Sequence, residues 1–310
     1  MKKLISIVTP TFNEGKNIYS LSKEISIQMD NLDCDYEHII IDNASTDNTQ
    51  EVVKKLCLEN KKVKAIFNRR NFGHIRSPYY GMLQAKGDAV ILLSADYQDP
   101  VETIVQLIEK WNNGFDVVFL KRKSSKANFF LEYIKKNFYK ILNLLSEIKL
   151  LEKTTGSGIF DKKIIEELKK IEEPYPYFRG LILEITNKID TVEFDQPNRK
   201  HGLSKNNFFT LFDIAMLGII KHSKLPLRLM TITGFIFSFL AGVVGIFFFI
   251  YKLLFWDSFQ LGLAPLILGL FFGISFQILL LGIIGEYVGF TLTQVRKFPL
   301  VIEKERINFK

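Results

Sequence analysis

The chain has 310 residues, a net charge of +8 and 47% hydrophobic content, enough for one sizeable domain with an appendage or for two small ones. Charges are spread through the first two-thirds and nearly vanish after Leu225, which argues against a wholly water-soluble chain. Cys34 and Cys57 have no metal-ligand spacing and need no disulfide, as suits a reducing compartment.

Residues 4–8 are a short apolar run closed by Pro10 without a small-residue cleavage site. They predict a buried first strand rather than a signal peptide. Further short apolar runs at 38–41, 63–67, 89–93 and 117–120 alternate with helical patterns at 17–29, 49–59, 77–85 and 101–112. Such alternation predicts a mostly parallel, Rossmann-like α/β sheet covered on both faces. Ligands of these sheets bind beyond the carboxyl ends of the strands.

The pattern then changes. Over 129–151 aromatic and aliphatic residues interleave with Lys135, Lys136 and Lys140. This helix suits either a core or a membrane interface, and the spans that follow favour the interface. The same holds for Phe208, Phe209, Leu211, Phe212 and Ile214. Residues 156–158 and 198–207 read as loops.

No Asp, Glu, Lys or Arg occurs over 229–251 or over 258–285. Each stretch is long enough to cross a hydrocarbon core of about 30 Å as a helix. Lys221, Lys224 and Arg228 precede the first stretch, and Arg296, Lys297, Lys304 and Arg306 follow the second. The connection between them carries one Lys and one Asp, so both ends are expected in the cytoplasm. Tyr251 and Trp256 would lie at the far interface and Tyr287 near the cytoplasmic one. Glu286 would lie at the end of the second span, as a lipid-head contact, a tetramer contact or, more simply, an interfacial residue. With two spans nearby, attraction to anionic lipid explains the positive charge without nucleic acid.

Three polar clusters follow candidate strands: Thr9-Pro10-Thr11-Phe12-Asn13-Glu14, Asp42-Asn43-Ala44-Ser45-Thr46-Asp47 and Ser94-Ala95-Asp96-Tyr97-Gln98-Asp99-Pro100. Singly, each suits a turn or a helix cap. Together they would meet on one rim of the sheet. With Arg70-Asn71-Phe72-Gly73, this ordered set resembles the family 2 glycosyltransferases of GT-A fold. Within them the chain is similar to the polyprenyl-phosphate glycosyltransferases, a group that includes dolichyl-phosphate mannose synthase and bactoprenol glucosyltransferase. The resemblance covers nearly the whole chain. It implies a catalytic domain over 1–200, a basic acceptor loop and juxtamembrane helix over 201–228, a two-helix transmembrane hairpin over 229–289 and a cytoplasmic tail over 290–310.

The resemblance further implies an inverting transfer of a sugar from a nucleotide sugar to polyprenyl phosphate at the cytoplasmic face of a bacterial inner membrane. UDP-glucose or a related UDP-sugar is the first expectation and GDP-mannose the second. Pro10, Phe12 and Glu14 would line the base and ribose pocket, and Asp42 or Asn43 would hydrogen-bond the base. Asp96 and Gln98 would hold Mg²⁺ or Mn²⁺, and Arg122, Arg199 and Lys205 would handle phosphates. A homo-oligomer, a tetramer by the resemblance, is also implied. Two positions depart from the family pattern: Ser94 replaces the first acid of the metal motif, and Ser157 stands where many bacterial relatives have a candidate base. A phosphate monoester is already anionic near neutral pH, so Ser157 favours a phosphate acceptor over a sugar hydroxyl. His74, Arg76 and His201 fit either phosphate contact or ordinary turns. Transfer to a hydroxyl, and a catalytically silent binding or assembly protein, stay open as alternatives.

Overall fold

The computed structural model describes residues 2–123, 151, 153–197, 225–255, 263–296 and 298–309. Eight strands form one sheet: β1 (Leu4–Thr11), β2 (Asp35–Asp42), β3 (Val63–Asn68), β4 (Ala89–Leu92), β5 (Val117–Arg122), β6 (Thr154–Asp161), β7 (Ile189–Phe194) and β8 (Glu303–Ile307). Their spatial order is β7-β5-β6-β4-β1-β2-β3-β8. Strand β6 runs antiparallel between β4 and β5, and β8 runs antiparallel to β3. The other pairings are parallel, as the alternating pattern predicts.

Helices cover both faces. On one side lie α1 (Ile18–Asp30), α2 (Thr49–Glu59) and α4 (Thr103–Asn112). Helix α1 buries Ile18, Leu21, Ile25 and Met29, a spacing of three and four residues that makes one apolar stripe. These pack with Ile5, Ile7 and Ile40 of the sheet. On the other side, α3 (Gly73–Leu83), α5 (Lys162–Lys170) and α6 (Phe178–Ile185) pack with Val8, Ile39, Ile41 and Ile66. Helix α5 is capped by Asp161, which accepts from the backbone N–H of Lys163, and ends on Lys169 and Lys170. Both features complement the helix termini.

Residues 156–158, expected as a loop, belong to strand β6. Gly158, at φ +155°, lies so close to β5 that an added Cβ would meet the Val118 carbonyl oxygen at 2.2 Å. Glycine therefore marks a close crossing here, not a turn. The segment expected as a tail also contributes to the sheet. After the second apolar helix, Glu303–Ile307 pairs along β3, and Asn308 donates from Nδ2 to the carbonyls of Cys57 and Val63, each at 2.8 Å.

Helices α7 (Leu225–Leu254) and α8 (Leu263–Val295) carry the apolar stretches. Their candidate spans, Leu225–Tyr251 and Gly269–Val295, have mean hydropathies of 2.3 and 1.8 and none of either span is buried. A core-helix explanation of these runs fails on that exposure, and a bilayer satisfies it. Thr231, Thr233, Thr291 and Thr293 each turn their hydroxyls back onto a carbonyl four residues earlier, which pairs the polar group without water. The helix continues past Glu286 to Val295, so Glu286 sits within the candidate span. The expected elements at 129–150 and 208–214 lie outside the described residues, as does Trp256.

Candidate active site

The carboxyl ends of β1, β2 and β4 carry the three polar clusters to one rim, and β6, running the other way, brings its first residues to the same place. Each of the three loops contains a non-glycine residue in the left-handed region: Asn13 at φ 60°, Ala44 at 60° and Tyr97 at 61°. Such strain persists where surrounding bonds hold it, and it concentrates at functional sites.

Those bonds are present. Asn13 Oδ1 accepts from the Thr46 backbone N–H at 2.8 Å, and the Asn13 N–H donates to Ser45 Oγ at 2.9 Å. The Glu14 N–H donates to Thr49 Oγ1 at 2.9 Å and the Gly15 N–H to Asp47 Oδ2 at 3.2 Å. Burial pushes the Asp47 carboxyl up, but the Thr49 hydroxyl and the N–H groups of Thr49 and Gly15 outweigh it and hold the group below the usual range. Beneath this loop, His38 Nε2 lies 2.9 Å from Thr9 Oγ1 and Nδ1 lies 3.2 Å from Ser22 Oγ. Burial drives the imidazole pKa down to about 3.

Pro10, Phe12 and Glu14 are half-buried at the β1 exit, and Glu14 Oε2 accepts from Asn17 Nδ2 at 2.7 Å. Asp42 is fully buried. Its carboxylate accepts from the Ser45 backbone N–H at 3.0 Å, Gln50 Nε2 at 2.9 Å, Thr11 Oγ1 at 3.3 Å and the Ser45 hydroxyl. Asn43 bridges to the β3 exit. It accepts from the Phe72 N–H at 2.9 Å and donates to Asn71 Oδ1 at 2.9 Å and to the Gly73 carbonyl at 3.2 Å. Both residues thus order the loops that would surround a base.

The cluster after β4 has a feature the sequence did not announce. Asp99 is only 3% exposed, and its Oδ2 accepts from Ser94 Oγ at 2.5 Å, the Ser94 N–H at 3.2 Å and Ser157 Oγ at 2.7 Å. The two serines are therefore tied to one buried carboxylate across the β4–β6 pair. On the other side, the Tyr97 hydroxyl donates to Glu24 Oε1 of α1 at 3.0 Å. The turn between carries Asp96, whose Oδ1 accepts from the Gln98 N–H at 3.1 Å. Arg122, at the end of β5, donates from its backbone N–H to the Lys153 carbonyl at 3.0 Å, and its position is exposed. Ser157 and Arg122 thus share the β5–β6 end of the rim. Arg199, Lys205 and His201 lie outside the described residues.

Among the described residues no three His, Cys, Asp or Glu side chains converge to hold a metal. Asp96 and Gln98 offer hard oxygen donors in one partly exposed turn. That small set fits a divalent cation that draws its other ligands from water and substrate phosphates.

The sequence profile described as glycosyl transferase family 2 matches residues 6–169. The chain is 32% identical to the uncharacterized glycosyltransferase YkcC of Bacillus subtilis over 96% of this chain and 92% of that protein. It is 30% identical to the bactoprenol glucosyl transferase of Shigella phage SfII over 97% of each. Glucosyl-3-phosphoglycerate synthase of Mycobacterium tuberculosis, solved with Mn²⁺, uridine diphosphate and phosphoglyceric acid, superposes with a TM-score of 0.51 at 18% identity, covering 70% of this chain and 76% of that one. That last likeness is one of fold, the GT-A sheet.

Proposed function

The chain belongs to glycosyl transferase family 2, and from that premise we propose that it transfers a sugar, with inversion, from a nucleoside-diphosphate sugar to polyprenyl phosphate at the cytoplasmic face of a bacterial inner membrane. One observation carries the choice of acceptor. The sheet has β7 before the two exposed apolar helices and β8 after them, and Gln294 at the end of α8 donates to Glu173 at 2.8 Å, so the end of the second apolar helix is held against the domain that carries the polar rim. An acceptor with a lipid tail can lie along α7 and α8 while its phosphate reaches the rim.

In this reading an oxygen of the acceptor phosphate attacks the anomeric carbon. A new carbon–oxygen bond forms on one face as the bond to the nucleoside diphosphate breaks on the other. Phe12, Pro10 and Glu14 flank the base and ribose, and Asp42 and Asn43 fix the surrounding loops. Arg122, with Arg199 and Lys205, binds phosphate oxygens, charge-assisted contacts that suit oxyanions. Asp96 and Gln98 would hold Mg²⁺ or Mn²⁺, which supplies charge neutralisation at the diphosphate. The Ser157 hydroxyl is committed to Asp99, an arrangement suited to an acceptor that arrives already deprotonated. The positive residues flanking the helices support cytoplasmic ends. The name of the phage relative supports glucose as the donor sugar, and UDP-glucose is the first donor to test, GDP-mannose the second.

The test is nucleoside diphosphate release by the full chain in detergent with a panel of donors. Release is expected with polyprenyl phosphate and not with polyprenol, and the labelled lipid should be labile to mild acid. An acid-stable product made from polyprenol would mean transfer to a hydroxyl. No release with any donor would favour a silent binding protein.

A further inference from the structure

At the β3 side of the polar rim, away from the acidic cluster after β4, a second positively charged cluster forms where α8 leaves its apolar span. The span ends at Val295, and Arg296 follows with its backbone N–H still donating to the Leu292 carbonyl at 3.1 Å. Two residues on, the Phe298 ring receives two guanidinium groups from the soluble domain. Arg70, just after β3, lies with its guanidinium carbon 5.9 Å from the Phe298 ring centre and 4.9 Å from that of Phe72. Arg76, in the first turns of α3, lies 5.9 Å from Phe298 and 5.2 Å from Tyr175. The Arg76 Nε is enclosed and has no hydrogen-bond partner. Among the described residues none of the three arginines forms an ion pair with a carboxylate. The nearby Glu173 is engaged: its Oε1 accepts from Gln294 Nε2 at 2.8 Å and from the Tyr175 N–H at 3.2 Å.

The geometry points to a binding site for the phosphate of an anionic phospholipid, formed by Arg70, Arg76 and Arg296 around Phe298. Three arguments converge on it. A guanidinium packed against an aromatic ring keeps its N–H donors directed outward in its own plane, and a planar fork of donors matches phosphate oxygens. The height is right, because Arg296 and Phe298 are the first residues past an apolar span and lie within about 7 Å of each other along the chain. That places the cluster at the depth of lipid headgroups, where Arg and Lys are attracted to anionic lipid. The positive end of the α3 dipole, at Gly73, adds to the same field. The cluster is also separate from the phosphate-handling side of the rim. Arg70 and Arg76 lie at the β3 end of the sheet, whereas Asp96 and Asp99 follow β4, three strands away in the order β4-β1-β2-β3, or about 14 Å.

Gln294 and Phe298 thus dock the end of α8 on the domain, and a bound headgroup would fix that joint from the lipid side. The inference rests on the membrane insertion contained in the functional reading. Its test therefore separates the two. The full chain and an Arg76→Gln/Arg296→Gln double variant are reconstituted in nanodiscs of phosphatidylcholine with about one-third phosphatidylglycerol, and retained lipids are counted by native mass spectrometry. Carbonate extraction reports insertion, and UDP binding reports a folded domain. The wild-type chain should retain phosphatidylglycerol over phosphatidylcholine, and the double variant should lose at least about tenfold of that preference while still inserting and binding UDP. Arg76→Lys, which keeps the charge without the planar fork, should fall between them.

Equal retention of the two lipids by wild type and variant would overturn the site. So would abolition of the preference by millimolar inorganic phosphate, which would mean a free-phosphate site. A variant with unchanged phosphatidylglycerol retention but a raised KM for polyprenyl phosphate would reassign the cluster to the acceptor and overturn the phospholipid site. Failure of the wild-type chain to insert would overturn the membrane reading itself.

Discussion

Asp99 is the residue on which the β4 exit turns. It fixes Ser94 on its own loop and Ser157 on β6 through one buried oxygen, and Asp96 lies within the span it closes. In Asp99→Asn, a donor replaces an acceptor in the same space, and a buried mismatch of this kind costs about 1–3 kcal/mol. A lowered melting temperature is expected, with a larger loss of nucleotide-sugar turnover than Ser157→Ala produces; equal, small effects of the two would remove Asp99 from this role. His38 gives a pH dependence with a definite sign. Its folded pKa is held down near 3 by burial, against 6.5 for an exposed imidazole. Between those values the unfolded chain binds a proton that the folded one does not, so stability falls as pH drops below about 6.5. Thermal melts from pH 7 to pH 4 should show that decline, and His38→Gln should flatten it. At this scale much of the rim was legible, because Asp42, Asn43 and Asp96 stand in recognisable clusters behind apolar strands. The Asp99–Ser157 pairing was not, since it depends on β6 entering the sheet antiparallel beside β4, a register that no local pattern records.

Among the elements, the five strands of the first 122 residues were readable, because nearly continuous apolar runs announce buried parallel strands. Strand β6 was not, because Thr154-Thr155-Gly156-Ser157-Gly158 has the composition of a loop. Gly158 serves close approach instead, while Gly156 takes a left-handed φ of +87°. Gly158→Ala would drive a methyl group against the Val118 carbonyl and the Phe119 Cα, at 2.2 and 2.9 Å. A loss of about 3 kcal/mol is expected, read as a fall in the denaturant midpoint; an unchanged midpoint would mean that β5 and β6 are not so closely apposed. Strand β8 was hidden for a different reason. Glu303-Lys304-Glu305-Arg306 has no apolar alternation, since it is an outer strand, and charge there discourages pairing with other chains. Besides its ladder with β3, side-chain ties hold it in place: Lys54 pairs with Glu305 at 2.6 Å, and Arg69 Nε donates to the Glu303 carbonyl at 3.2 Å.

At the scale of the whole molecule, β8 follows the two apolar helices and pairs at the sheet's far edge, which brings the end of α8 back to the domain. The apolar helices were the plainest feature of the sequence. The return of the C-terminal segment gives them a consequence that composition alone could not, since α8 is docked on the domain through Gln294 and Phe298. A sugar acceptor dissolved in the bilayer fits that build better than a soluble one. The most direct measurement is the mass and phosphorus content of the lipid product made by the full chain from a UDP-sugar and polyprenyl phosphate. A lipid carrying one sugar and a single phosphate is expected, with nucleoside diphosphate as the co-product. A lipid carrying two phosphates with release of nucleoside monophosphate, or a sugar attached to a carbon chain without phosphate, would contradict it.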